Sequence, residues 1–160
     1  MLNFNFNGYL EPFEAIEIAF ESAESLLVWN EHRAHIWANF EVFIADLQAI
    51  LASPFSVWLN GSFATQKENP NDLDCVIFED FEVYEANISQ LLQLKMKCKK
   101  MRIDSYFVAI HGIGHKRNNT YELDKKEWFS LFNATKRDIY TGKCYSKGFL
   151  ELNFFNVWTL

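Results

Sequence analysis

Cysteine is scarce. The chain has three among 160 residues, Cys75, Cys98 and Cys144. The number is odd and the spacing matches no metal-binding pattern, so all three are expected to be reduced thiols of a cytoplasmic protein. Proline (three) and glycine (six) are also sparse, and no linker, low-complexity segment or internal repeat interrupts the chain, which is expected to form one domain over residues 1–160. No apolar run reaches the roughly 18 residues that a membrane span needs. The opening "MLNFNFNGYL" lacks a basic stretch followed by an apolar one, so no signal peptide is expected. Positive charge is in deficit. Fifteen Lys and Arg against 21 Asp and Glu leave a net charge of −6. A field of that sign does not coat nucleic acid or an anionic membrane, although a local basic groove remains possible.

Apolar and aromatic residues are plentiful. They make up 49% and 17% of the chain, with sixteen Phe and five Trp, enough for a real core and unlike a disordered segment. "NFNFNGYL" alternates and then turns at Gly8, as a short edge strand or an extended arm would. From Pro12, "FEAIEIAFESAESLL" has helical composition. A stronger helix follows Asn30, a suitable N-cap. In it Ile36, Phe40, Phe43, Ile44, Leu47, Ile50 and Leu51 recur at steps of three and four, and Ser53-Pro54 ends it. "FSVWLN" and "DLDCVIF" read as strands flanking the loop "GSFATQKENPN". "YEANISQLLQLKMK" reads as a helix and "RIDSYFVAI" as a strand. "YELDKKEWFSLFNATKR" reads as a helix with Leu123, Trp128, Leu131 and Phe132 inward, and "GFLELNFFNV" as the last strand. The expectation is an α/β (α+β) domain with a mixed central sheet of about four or five strands flanked by helices. Residues 1–53 would form a helical N-terminal part, 54–110 the core, and 111–160 a final helix and strand.

The chemistry is concentrated in "WLNGSFATQKENPNDLDCVIF". Residues i and i+2 of a strand share a face, so Asp72 and Asp74 project together. Like charges that close repel unless a cation lies between them, and Mg²⁺ suits carboxylate, phosphate and water oxygens. Asp104 begins another strand. If that strand lies beside "DLDCVIF", a third carboxylate joins the same face, and three carboxylates can hold two metal ions about 4 Å apart. Gly61-Ser62 follows a strand and could open a short helix, "SFATQK", whose N–H groups and Ser62 hydroxyl suit phosphates. The bland alternative is that Asp72 caps a turn, Asp74 faces solvent on an edge strand, and Asp104 starts a strand without further role.

Gly61-Ser62, nine residues, then Asp72-Leu73-Asp74, with Asp104 on a later strand, resembles the signature of the polymerase-beta-like nucleotidyltransferase superfamily. The resemblance covers roughly residues 55–110. It implies that Gly61 and Ser62 grip a triphosphate and that Asp72, Asp74 and Asp104 bind two Mg²⁺. It also implies transfer of a nucleoside monophosphate from an NTP to an acceptor hydroxyl, with loss of pyrophosphate. "NGYL", "WLNGSFATQKENPNDLD", "YELDKKEWFSLFNATKR" and "KGFLELNF" are similar to a small bacterial family of nucleotidyltransferase-like proteins of unassigned function, over most of the chain. Small relatives in the superfamily modify proteins, tRNA ends or small molecules, and several serve in toxin–antitoxin or phage-defence pairs. A protein or RNA acceptor is favoured here, docking on the N-terminal helices.

Other residues invite weaker readings. Lys67, in the loop between Ser62 and Asp72, is a candidate phosphate contact. Lys136, Arg137, Lys143 and Lys147 could reach nucleotide or acceptor, or be solvated. Lys95, Lys97, Lys99, Lys100 and Arg102 read as a solvated helix end, with phosphate contacts as the alternative. His111 and His115 are four apart, but Gly112 and Gly114 argue against a helix, so a shared face and a zinc site are not expected. His32 and His35 read as surface or partly buried. A second class of function stays open: a non-catalytic antitoxin or partner-binding module of the same fold. A nuclease-like metal site is a third reading.

Overall fold

A computed structural model describes residues 2–155 of the chain. It is a mixed α+β structure. Two short strands, β1 (Asn3–Phe4) and β2 (Leu10–Glu11), pair as an antiparallel hairpin. Then follow β3 (Ala15–Glu17), α1 (Phe20–Leu27), α2 (Glu31–Leu51), β4 (Phe55–Asn60), β5 (Leu73–Asp80), α3 (Phe81–Lys99), β6 (Ile103–Ile110), α4 (Asn118–Phe132) and β7 (Phe149–Phe154). The main sheet has five strands in the order β3-β7-β4-β5-β6. β4 runs antiparallel to both β5 and β7, while β3–β7 and β5–β6 are parallel pairs.

Side chains alternate across the sheet and split its contacts into two layers. Leu73, Cys75 and Ile77 of β5 join Val57 and Leu59 of β4 on one face, under Leu27 of α1, Ile36, Phe40, Phe43 and Leu47 of α2, and Leu91 and Leu94 of α3. On the opposite face Trp58, Val76, Phe78, Val108 and Phe149 pack with Phe132 of α4. Apolar burial on both faces is the main driving force for this arrangement. The long helix forms as its stripe predicts. Asn30 caps it by accepting from the Arg33 N–H at 2.8 Å, and Ala52 ends it in the left-handed region at φ 48°.

Four expectations need correction. The N-terminal part is not wholly helical: residues 3–17 form the hairpin and a sheet-edge strand, and the first helix starts at Phe20 rather than near Pro12. α3 starts at Phe81, because the Asp80 carboxylate accepts from the Glu82 and Val83 N–H groups and caps it. α4 runs from Asn118 to Phe132 instead of through Arg137, and Asn133 breaks away to donate to the carbonyls of Phe13 and Lys147. Leu123 and Leu131 face outward, at 62% and 64% exposure, because Tyr121, Trp128 and Phe132 are the residues that meet the sheet. The expected continuation of the last strand through Asn156 and Val157 lies outside the described residues. No helix among the described residues is long and apolar enough to cross a membrane.

Candidate functional site

The site is built at one end of the sheet, on the face that α4 covers. Parallel pairing sets Asp74 of β5 directly opposite Asp104 of β6, and antiparallel pairing sets Asn60 of β4 opposite Asp74. Three polar residues thus stand in a row across three adjacent strands, in line with Trp58, Val76 and Val108 of the apolar layer. Asp72 lies just before β5 and is half-buried. Beyond the row opens a cleft of about 1250 Å³, lined by all six sequence candidates, Gly61, Ser62, Lys67, Asp72, Asp74 and Asp104. Lys136 and Lys147 line it from the loop after α4, and residues 6–9 from the tip of the hairpin.

Gly61 is required by contact as well as by conformation. Its backbone, at φ 71° and ψ −161°, occupies a region that is essentially confined to glycine. A Cβ there would lie 1.7 Å from Oδ2 of Asp74. The missing side chain is the space that the Asp74 carboxylate fills. The following residues, Ser62–Ala64, make a single 3₁₀ turn and not the short helix expected through Lys67. The Thr65 hydroxyl closes the turn by donating to the Ser62 carbonyl at 2.7 Å, and accepts in turn from the Lys67 N–H at 3.2 Å.

Three carboxylates and three lysines line the cleft, and burial shifts one of each. Burial, followed by Asp72 and Asp104, pushes the Asp74 carboxyl up to about 6, against the opposing pull of Lys136 and Lys147. Burial pushes the Lys147 ammonium down to about 8, with Asp74 partly offsetting it. Lys147 is only 6% exposed and is held by the Asn60 Oδ1 at 2.8 Å; Asn60 in turn donates to the Phe132 carbonyl at 3.1 Å. Asp104 accepts from the Tyr106 hydroxyl at 3.2 Å and has the Lys99 ammonium 4.0 Å away.

Four parts of this arrangement were not read from the sequence. Asn60 is found only through its register with Asp74. Tyr106 shares the Asp104 face by the i, i+2 rule, a signal that was available. The lysine-rich end of α3 is not purely solvated: Lys99 approaches Asp104, and Lys95 lies over the Tyr106 ring, 4.4 Å from its centroid. The fourth part is Arg33. It is fully buried, has no acidic partner among the described residues, and donates to the carbonyls of Leu27, Phe63 and Thr65 at 2.6–3.0 Å. Its guanidinium also lies 3.7 Å from the Trp29 ring centroid. Burial lowers its pKa to about 10. One side chain of α2 thereby fixes the carbonyls of the turn that follows Gly61.

The chain matches the model of DUF6932, a family of unknown function, over residues 2–153. It belongs to that family. No curated protein and no solved structure matches it.

Of the remaining candidates in this DUF6932 chain, Arg137 and Lys143 do not line the cleft. His111 and His115 do come together, contrary to expectation, their rings stacked 4.7 Å apart beside Phe81, because the loop folds back without needing a helix. His32 is partly buried, its Nε2 2.6 Å from the Pro70 carbonyl. Among the described residues, no three His, Cys, Asp or Glu side chains are gathered into a ready ligand set for one metal ion. Magnesium does not require one, since it commonly takes one or two carboxylates and completes its shell with phosphate and water. The hard oxygens of Asp72, Asp74 and Asp104, with mutual repulsion that a cation would relieve, fit such an ion.

Proposed function

We propose that this protein is an Mg²⁺-dependent nucleotidyltransferase that moves a nucleoside monophosphate from an NTP to a hydroxyl of a protein or RNA acceptor. One observation carries the reading: Asp74 and Asp104 stand in register on adjacent parallel strands, and Gly61 leaves room for the Asp74 carboxylate against its own backbone. Asp72 and Asp74 would hold two ions and Asp104 one of them. When bound, such ions supply the charge that activates an attacking oxygen and steadies a departing pyrophosphate.

The chain's own groups do the rest. Gly61 and Ser62 offer backbone N–H groups and a hydroxyl to the β- and γ-phosphates. Lys67, Lys136 and Lys147 face the triphosphate's charge from the cleft wall, Lys147 being aimed by Asn60. Asp104, hydrogen-bonded by Tyr106, takes the acceptor's proton. The acceptor oxygen bonds to the α-phosphorus, the bond to the bridging oxygen breaks, and pyrophosphate leaves. From the resemblance to the nucleotidyltransferase superfamily we extend the proposal to a cytoplasmic setting and to a part in a toxin–antitoxin or phage-defence system. A second reading, a non-catalytic partner-binding module, draws support from Leu92 and Met96 on the outer side of α3, 52% and 71% exposed.

Calorimetric titration of each NTP, with and without Mg²⁺, tests the proposal on wild type and on Asp72→Ala/Asp74→Ala. The expected result is metal-dependent binding of one or more NTPs, lost in the double variant while the fold is kept. A well-folded wild type that binds no NTP with Mg²⁺ would end the enzyme reading and favour the partner module.

A further inference from the structure

We infer that Phe6, at the tip of the β1–β2 hairpin, is the stacking platform for the base of the nucleotide. The inference rests on the nucleotide reading above and names a base-binding element that the reading lacks. Phe6 is fully exposed, at 105%, yet it lines the same cleft as Ser62, Lys67 and the carboxylates. The hairpin that carries it is not a loose loop. The Asn5 Oδ1 accepts from the N–H groups of Asn7 and Tyr9, both at 3.0 Å, and the Gly8 N–H closes the tip onto the Asn5 carbonyl at 2.9 Å. Gly8, at φ 77°, makes the turn. The tip is also fastened to the opposite wall. Tyr9 bridges to Thr65, and the Gln66 N–H donates to the Gly8 carbonyl at 2.9 Å. An exposed apolar ring therefore lines a charged cleft from a hairpin whose backbone is bonded to the loop that carries Lys67.

That placement divides the cleft by chemistry. Carboxylates, Lys136 and the buried Lys147 give the cleft its charged part, where phosphates belong, and Phe6 adds an exposed aromatic face. A nucleotide has the same division: a polyanion at one end and a flat π surface at the other. Stacking of a base on an aromatic side chain needs no hydrogen-bond code, so Phe6 would tighten binding of any base, and Asn7 and Gln66 beside it supply the polar edges that could choose among bases.

The test is calorimetric binding of each Mg²⁺-NTP and of Mg²⁺-tripolyphosphate, which lacks a base, to wild type, Phe6→Ala and Phe6→Trp. Because the Phe6 side chain is fully exposed, Phe6→Ala should melt with wild type. The expected result is about ten-fold or greater weakening of NTP binding by Phe6→Ala, with tripolyphosphate binding unchanged and Phe6→Trp restoring the wild-type affinity. If wild type binds NTP and Phe6→Ala binds it equally well, the stacking role is wrong while the nucleotide reading stands; a protein partner would then be the better occupant for the tip. Equal loss of NTP and tripolyphosphate in Phe6→Ala would also overturn the inference, by showing a disturbed phosphate site. Wild type that binds neither ligand removes the nucleotide reading and the inference together.

Discussion

At the scale of single residues, Gly61 bears the sharpest constraint. Its backbone region costs a non-glycine residue about 1–3 kcal/mol, and a methyl group there displaces the Asp74 carboxylate as well. Gly61→Ala is thus expected to lower stability and to abolish metal-dependent nucleotide binding. The two effects separate in a double-variant cycle. Adding Asp74→Ala removes the clash and should recover part of the stability, measured by urea denaturation, but none of the binding. Full additivity of the two stability losses would show that the side chains do not meet. This glycine was visible in the sequence as a turn former beside a strand. Its reason was not, because the atom it makes room for lies 13 positions along the chain and reaches it only through the pairing of β4 with β5.

Among elements, the junction of α2 with the 62–65 turn decides whether the site keeps its shape. Arg33→Met would leave the carbonyls of Phe63 and Thr65 buried without donors. A loss on the order of 3 kcal/mol or more is expected from chemical denaturation, with faster amide exchange confined first to residues 61–67. Arg33→Lys should fall between the two, since an ammonium cannot reproduce the fork. Unchanged exchange in that loop would refute the clamp. The same elements show what local pattern can reveal. α2 was legible because its stripe runs for 21 residues behind an asparagine cap. Arg33 lies in phase with that stripe, three before Ile36 and seven before Phe40, but a charged residue there reads by default as solvent-facing. β3 was lost to a helical reading of "FEAIEIAF", although Ile16, Ile18 and Phe20 also alternate. Its partner is β7, far along the chain, and no local window contains that information. The outward turn of Leu123 and Leu131 was missed for a related reason: several apolar residues share α4, and only the sheet selects which side is inner.

For the molecule as a whole, stability should depend on pH through a group outside the cleft. Glu79 is fully buried on β5, neither carboxyl oxygen has a hydrogen-bond partner among the described residues, and burial pushes it up to about 7 from an ordinary 4.5. The folded state therefore holds the proton more tightly than the unfolded state. Below about pH 4.5 both states are protonated and no penalty arises. As pH rises from about 4.5 to about 7 the unfolded chain gives up this proton while the folded state keeps it, so stability on the order of 3 kcal/mol is lost across that window and the loss is complete above it. Glu79→Gln keeps the shape without the ionisation. It should match wild type near pH 4.5 and exceed it at pH 8 in denaturant midpoints; equal stability at pH 8 would disprove the effect.

The strand order has one more consequence, which concerns synthesis. β7 lies between β3 and β4, so those two strands, both made early, never touch each other through hydrogen bonds. A ribosome that has released only the first 148 residues holds β3 without a partner and β4 with one open edge. The five-stranded sheet can close only after residues 149–154 emerge and insert between strands that have been waiting. Such late, long-range pairing is slow compared with local folding, and it makes the nascent chain's open edge a site for other strands or a chaperone to bind before the protein has its own.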